Sequence, residues 1–234
     1  VSTFTWLTGH KPALTQAQLQ RRDNLATATV LDNRTLQQQR LVVLDLETSG
    51  LNMRRDLVLS IGAVVIENAA IDLSQQFECT LQREGHQASA STLIHGIAPS
   101  EIAKGEAPAE ALLAFMEFVG DSPLLAFHAE FDQRMLARAL KQSLGLRLQH
   151  TFVDVAEIAP LLCPKATVSN AGLDGWTQHF GLQVQQRHHA SADALVTAEL
   201  ALILLSKARQ QGLDSLPTLL HQLNSRRRQL AHSM

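Results

Sequence analysis

Leu41-Val-Val-Leu-Asp-Leu-Glu-Thr48 is the stretch on which the fold turns. Its first four residues form an apolar run of the kind a buried strand shows. Asp45 and Glu47 then interrupt the end of that run. With a side-chain period of two, both carboxylates point to one face, roughly 6.6 Å apart along the strand. Two acids so placed repel each other and cost desolvation energy. A divalent cation would relieve both, since Mg²⁺ is held by one or two carboxylates together with phosphate oxygens. Simple solvent exposure of the pair is the plainer alternative, and the pair alone does not decide between them.

Downstream, Leu57 to Ile66 is a second strand, Asn68-Ala-Ala-Ile71 a tight connection and Leu73 to Leu81 a third strand. Three strands this close suggest an antiparallel meander. Residues 83 to 106 are polar and broken by Gly85, Gly96, Pro99 and Gly105, which predicts a long loop with a short helix. A helix over Ala109 to Val119, a strand over Leu124 to Phe127 and a helix over Phe131 to Ser143 follow. Phe152 to Val155 reads as a short strand leading into a helix. Further helices are expected at Leu173 to Phe180, Ala190 to Gln211 and Leu216 to Leu230. Strands followed by alternating helices and strands describe an α/β fold, a mixed sheet flanked by helices. Sites in such folds form at strand-to-helix junctions. Upstream, residues 1–40 are rich in Gln, Arg, Leu and Ala and predict one or two polar helices packed on the main domain. The expected organisation is an N-terminal helical extension (1–40), an α/β domain (41–210) and a C-terminal helix and tail (211–234).

Composition narrows the function classes. The 234 residues are 45% hydrophobic and 18% charged, a globular balance. A net charge of −2 excludes a pervasively basic nucleic-acid binder and leaves only local patches, Arg54-Arg55 and Arg226-Arg-Arg228. Cys79 and Cys163 are the two cysteines, too few for a disulfide framework or a Cys-rich zinc site. They suit a reducing compartment, so a cytoplasmic location is expected. No apolar stretch approaches the ~18 residues of a membrane span, so no membrane partner is expected. No signal peptide is visible.

Two further acidic motifs accompany the first. His128-Ala-Glu-Phe-Asp132 follows an apolar strand and opens a helix. His188-His-Ala-Ser-Ala-Asp193 brings two histidines to the start of the long helix, with Asp193 inside its first turns. Each has a bland reading as a helix-start acid. What distinguishes them is that all three stand in order at junctions between elements.

This trio resembles the DEDDh branch of the DnaQ-like 3′→5′ exonucleases, a superfamily with the ribonuclease H-like fold that includes the proofreading ε subunit of bacterial DNA polymerase III and ribonuclease T. Asp45-Leu46-Glu47-Thr48 matches the first family motif and continues as Ser49-Gly50-Leu51. Ser60-Ile-Gly-Ala63 resembles the second strand, and His95-Gly96-Ile97 a loop segment before the first major helix. His128, Phe131 and Asp132 match the second motif, with Ala129 where the family has Asn. A His five residues before an Asp matches His188 and Asp193, with His189 an open alternative. The likeness covers about Leu41 to Leu205.

The resemblance implies an enzyme, a two-metal-ion phosphodiester hydrolase. Asp45, Glu47, Asp132 and Asp193 would hold two divalent ions, Mg²⁺ or Mn²⁺, and His188 would act as general base. Thr48, Gly50, Leu51 and His95 would line the pocket for the 3′-terminal nucleotide. The implied substrate is a nucleic acid with a free 3′ end, single-stranded DNA before RNA, released as nucleoside 5′-monophosphates. A ribonuclease T-like exoribonuclease is the alternative, and a non-catalytic nucleic-acid or polymerase binding subunit is the alternative of another class. Candidate protein partners are a DNA polymerase or a sliding clamp. Gln211-Gly-Leu-Asp-Ser-Leu-Pro217 faintly resembles a clamp-binding peptide.

Overall fold

The computed structural model describes residues 13–85, 91–168, 170–183 and 188–232. The chain enters through α1 (Gln16–Asp23), begun by a reciprocal capping box between Thr15 and Gln18. A single 3₁₀ turn (Leu36–Gln38) leads into β1 (Leu41–Thr48), β2 (Val58–Glu67) and β3 (Ala70–Thr80). Then come α2 (Thr92–His95), α3 (Pro99–Ala103), α4 (Pro108–Val119), β4 (Leu124–Ala126) and α5 (Ala129–Leu144). β5 (Phe152–Asp154), α6 (Val155–Leu162), α7 (Leu173–Phe180), α8 (Ala190–Gln210) and α9 (Leu216–His232) complete it.

One sheet of order β3-β2-β1-β4-β5 carries the fold. β1, β2 and β3 pair antiparallel, whereas β4 runs parallel to both β1 and β5. This is the mixed sheet expected from the sequence, with helices on both faces. β1 sorts its residues by parity. Leu41 and Val43 enter one core with α6, α8 and α9, and Val42, Leu44 and Leu46 enter the other with α4 and α5. The odd-numbered face that buries Leu41 and Val43 therefore continues as Asp45 and Glu47.

β1 runs on through the acids as expected, with β2 still paired to it, Asp45 opposite Gly62 and Glu47 opposite Ser60. Three details depart from the sequence reading. β3 starts at Ala70 rather than Leu73, because Asn68 and Ala69 both take positive φ (53° and 57°) and make a two-residue hairpin turn. The second polar stretch of the N-terminal region is only the 3₁₀ turn, where Leu36 is buried and Thr35 bridges Ser215. The Gln211 to Pro217 segment is not displayed as a peptide for a clamp: Leu216 is fully buried and starts α9.

α1 packs on the main domain through Arg21, whose guanidinium bonds Glu117 twice at 2.8 Å and also Glu110. Among the described residues no helix is long and apolar enough to cross a membrane.

Candidate active site

Asp45, Glu47 and Asp193 converge at the C-terminal end of β1, with one carboxylate oxygen of each inside a 4.8 Å span. Two come from the odd-numbered face of β1, which looks toward α8. The third comes from the first turn of α8 and is buried. The approach of that helix depends on Gly62. A Cβ there would lie 2.1 Å from the Ala190 carbonyl carbon and 2.2 Å from the Ser191 nitrogen. Gly62 is the strand partner of Asp45. A bare backbone at this point lets the start of α8 lie directly on the sheet beside the acids. The sequence offered a signal, a glycine inside a largely apolar strand, but not its consequence.

Asp132 stands outside that trio. It is buried in the first turn of α5, and the Leu46 backbone, between Asp45 and Glu47, hydrogen-bonds its carboxylate. β4 is short, with Val43 paired to Leu125 and the strand ending at Ala126. β1 therefore outruns β4, and Leu46 meets a helix carboxylate there instead of a strand. Burial pushes Asp132 up to about 8, and the charges of Asp154 and Glu47 push the same way.

His188 and His189 diverge. The His188 backbone N–H donates to Asp193 Oδ2 at 3.0 Å, and its residue is exposed with φ of 61°. The His189 ring instead sits 3.1 Å from Ser191 Oγ and 3.3 Å from Glu78 Oε1 on β3. His128 also takes positive φ (62°) as the N-cap of α5. Its N–H and that of Ala129 both donate to Asp154, at 3.1 Å each, and Ala156 N–H donates to the same carboxylate at 2.9 Å. Asp154 thus caps α6 and holds the entry of α5, the helix that carries Asp132. Sequence reasoning missed it, since nothing local separates Asp154 from any strand-end aspartate. Burial raises its carboxyl above the usual range, against the Ala156 and His128 N–H groups that lower it.

A cleft of about 550 Å³ opens beside the acids, lined by Glu47, Thr48, Gly50, Leu51, Ile94 and His95 among others. All four residues expected in a nucleotide pocket therefore lie on one wall or the other. Thr48 Oγ1 donates to Gly50 O at 2.9 Å and Asp56 accepts Asn52 N–H at 2.8 Å, which pin the loop after β1. Ser91 Oγ reaches across to Ser49 O at 3.0 Å. The Ile97 N–H donates to His95 Nδ1 at 3.0 Å, which puts the ring proton on Nε2. Leu51 and Ile94, which line the cleft, are exposed. Arg55 lines the cleft, whereas Arg227 is engaged with Glu157 away from it.

An all-oxygen donor set of clustered carboxylates suits hard divalent cations such as Mg²⁺ or Mn²⁺. Burial is the main cause of the upward push on Asp132, and the charges of Asp154 and Glu47 add a smaller part that a cation would offset. The residues present therefore fit such a group.

Comparisons with known proteins agree. A family model described as exonuclease (RNase_T) matches residues 42–201. Curated relatives include the PolC-type DNA polymerase III of Thermotoga maritima, 29% identical over 185 residues, covering 79% of this chain and 13% of that protein. The PolC-type enzyme of Caldanaerobacter subterraneus is 32% identical over 174 residues, 74% of this chain and 12% of its own length. The chain thus spans about an eighth of the length of these relatives. Among solved structures, E. coli exonuclease I in complex with a dT13 oligonucleotide superposes with TM-score 0.64 at 17% identity, covering 74% of this chain and 42% of that one. Exonuclease X in complex with 5′-overhanging duplex DNA gives 0.58 at 18% identity, covering 72% of this chain and 92% of that one. At these identities the structural likeness speaks to the ribonuclease H-like fold alone.

Proposed function

The chain belongs to the exonuclease family, the DnaQ-like group its motifs resemble, and from that premise we propose a metal-dependent 3′→5′ exonuclease acting on single-stranded DNA. The observation that carries this reading is the convergence of Asp45, Glu47 and Asp193 beside a cleft that Glu47 itself lines. Asp45, Glu47 and Asp193, with Asp132 behind them, would hold one or two divalent ions. Bound there, such ions supply Lewis-acid stabilisation of the scissile phosphodiester and a nucleophile at neutral pH.

The chain's own groups do the rest. His188 takes the proton from the attacking water, the general-base role that an imidazole fills most often in enzymes. Its backbone N–H holds Asp193 Oδ2 in place, so base and ligand are set by the same turn. The His189 ring, turned to Ser191 and Glu78, is not assigned that task. The 3′-terminal nucleotide enters between the loop at Thr48–Gly50–Leu51 and the α2 wall at Ile94 and His95. Exposed Leu51 and Ile94 offer apolar surface to the base, and a single strand enters more readily because a paired end must first unstack. The products are a nucleoside 5′-monophosphate and a strand one residue shorter. DNA is preferred over RNA here because the relatives are DNA polymerases; association with a polymerase is part of the same proposal.

A time course on 5′-labelled DNA and RNA of matched sequence, with Mg²⁺, Mn²⁺ or EDTA and with Asp45→Ala alongside, tests the reading. Stepwise shortening that needs cation and Asp45, faster on DNA, is expected. Intact strands from folded protein would overturn it, and faster RNA cleavage would transfer the assignment to an exoribonuclease.

A further inference from the structure

The first turn of α8 straddles β2. One row of the sheet runs from Asp45 on β1 to Gly62 on β2 and Glu78 on β3, each opposite the next. Residues directly opposite share a face, and neighbouring strands lie about 4.8 Å apart. Asp45 and Glu78 therefore flank Gly62 on the face that carries α8. The Ala190–Ser191 backbone fills the space over Gly62, where a Cβ would meet it at 2.1–2.4 Å. From that seat the turn reaches both ways. Asp193 joins Asp45 on one side. On the other, His189 Nε2 lies 3.3 Å from Glu78 Oε1, while Nδ1 lies 3.1 Å from Ser191 Oγ.

The two reaches are linked through the backbone. His189 is the N-cap of α8, and its carbonyl accepts the Asp193 N–H at 2.9 Å. Favoured N-caps are Ser, Thr, Asp and Asn, whose short side chains accept a helix N–H. The His189 side chain makes no such bond, and its ring is turned to β3 instead. His188, just before it, stands at φ 61°, a costly backbone for a residue other than glycine. Such a conformation persists where its surroundings fix it. Here Asp193 Oδ2 accepts the His188 N–H, and Glu78 meets the ring of the next residue. Glu78 is exposed and His189 half-buried, so their contact adds little to stability. What it can do is fix where the turn sits.

We propose that the His189 ring and the Glu78 carboxylate form a strut that ties the first turn of α8 to β3, making both of them positioning residues for Asp193 as a metal ligand. This deepens the exonuclease reading and rests on it for the metal. Gly62 lets the helix come down on the sheet, and the strut stops it from rolling about that contact. A carboxylate only accepts, so the strut needs a donor at position 189. His189→Ala removes it, and His189→Gln keeps one.

Measurements on the full chain test the proposal. Exposed charged pairs bias an equilibrium by up to about fivefold, which sets the expected effect. In His189→Ala the Mn²⁺ concentration for half-maximal hydrolysis of a single-stranded oligomer should rise about fivefold, with kcat at saturating Mn²⁺ within about twofold of wild type. The rise in melting temperature on adding Mn²⁺ should shrink, while the melting temperature in EDTA stays the same. Glu78→Ala and the double variant should match His189→Ala, since the same contact is lost in each. His189→Gln should restore much of the Mn²⁺ response. In EDTA the Asp193 amide should exchange faster in His189→Ala, because its N–H bonds His189 O. Losses that add in the double variant, unchanged exchange, or a lower melting temperature in EDTA with the Mn²⁺ response intact would overturn the strut. A loss of about a hundredfold in kcat at saturating Mn²⁺ would make the ring the general base and overturn it equally. Wild-type protein that neither shortens the strand nor responds to Mn²⁺ would sink the exonuclease reading instead, and Asp193 exchange would still decide the strut.

Discussion

Gly62→Ala is the perturbation that most directly probes how the site is assembled. The added methyl would fall 2.1, 2.2 and 2.4 Å from the Ala190 carbonyl carbon, the Ser191 nitrogen and the Ala190 oxygen. Non-bonded heavy atoms rest about 3.5–4.0 Å apart, so the first turn of α8 must retreat by roughly 1–1.5 Å. The obstacle is backbone, which cannot rotate aside as a side chain could. Asp193 lies only two residues past Ser191 and moves with it, whereas Asp45 and Glu47 stay on β1. Metal ligation tolerates about 0.2 Å, and a misplacement of about 1 Å costs on the order of 10²-fold in rate. Overpacking costs about 1–3 kcal/mol of stability. The assay is exonuclease rate with thermal unfolding, plus the rise in melting temperature on adding Mn²⁺. A roughly hundredfold slower enzyme with a weakened Mn²⁺ response is expected. Ile158→Val, in the core on the same side, is the control: about 0.5–1.5 kcal/mol lost without a rate change. Gly62→Ala within twofold of wild-type rate, at unchanged stability, would refute the close approach as the device that joins Asp193 to β1.

Asp154→Ala strands the N–H groups of His128, Ala129 and Ala156, so denaturant unfolding should show a loss of about 1–3 kcal/mol. Asp154→Asn retains an accepting oxygen and should lose less; equal, negligible losses would remove Asp154 as the holder of the α5 entry. For Asp132 the sign follows from a folded-state pKa of about 8 against about 4 in the unfolded chain. Between those values the folded state holds more protons, so its stabilisation is present below about pH 4 and lost as pH rises through 8. In EDTA the melting temperature should therefore fall from pH 5 to pH 8, and Asp132→Asn should flatten that slope; an unchanged slope would show that another group sets it.

The parts of the site legible in the sequence are those written in a local period. Alternation along β1 put Asp45 and Glu47 on one face, and the structure extends that face from buried Leu41 and Val43 into the pair. Apolar periodicity likewise marked α8 and hence placed Asp193 in its opening turns. The choice between His188 and His189 could not be read this way. Adjacent residues share every local signal, and they part here because Glu78, more than a hundred residues earlier on the edge strand, takes one ring. Asp132 is a similar case. That it sits behind the trio, against the Leu46 backbone, follows from the shortness of β4, which no periodicity in Leu124-Leu-Ala126 encodes. The consequence of Gly62 and the role of Asp154 are hidden for the same reason: each acts across elements that are distant in the chain. A gap in one strand and a cap shared by two helices are properties of the assembled sheet. Such contacts assemble the acidic trio and set the charge around it, so the chemistry of this site was written locally and its geometry was not.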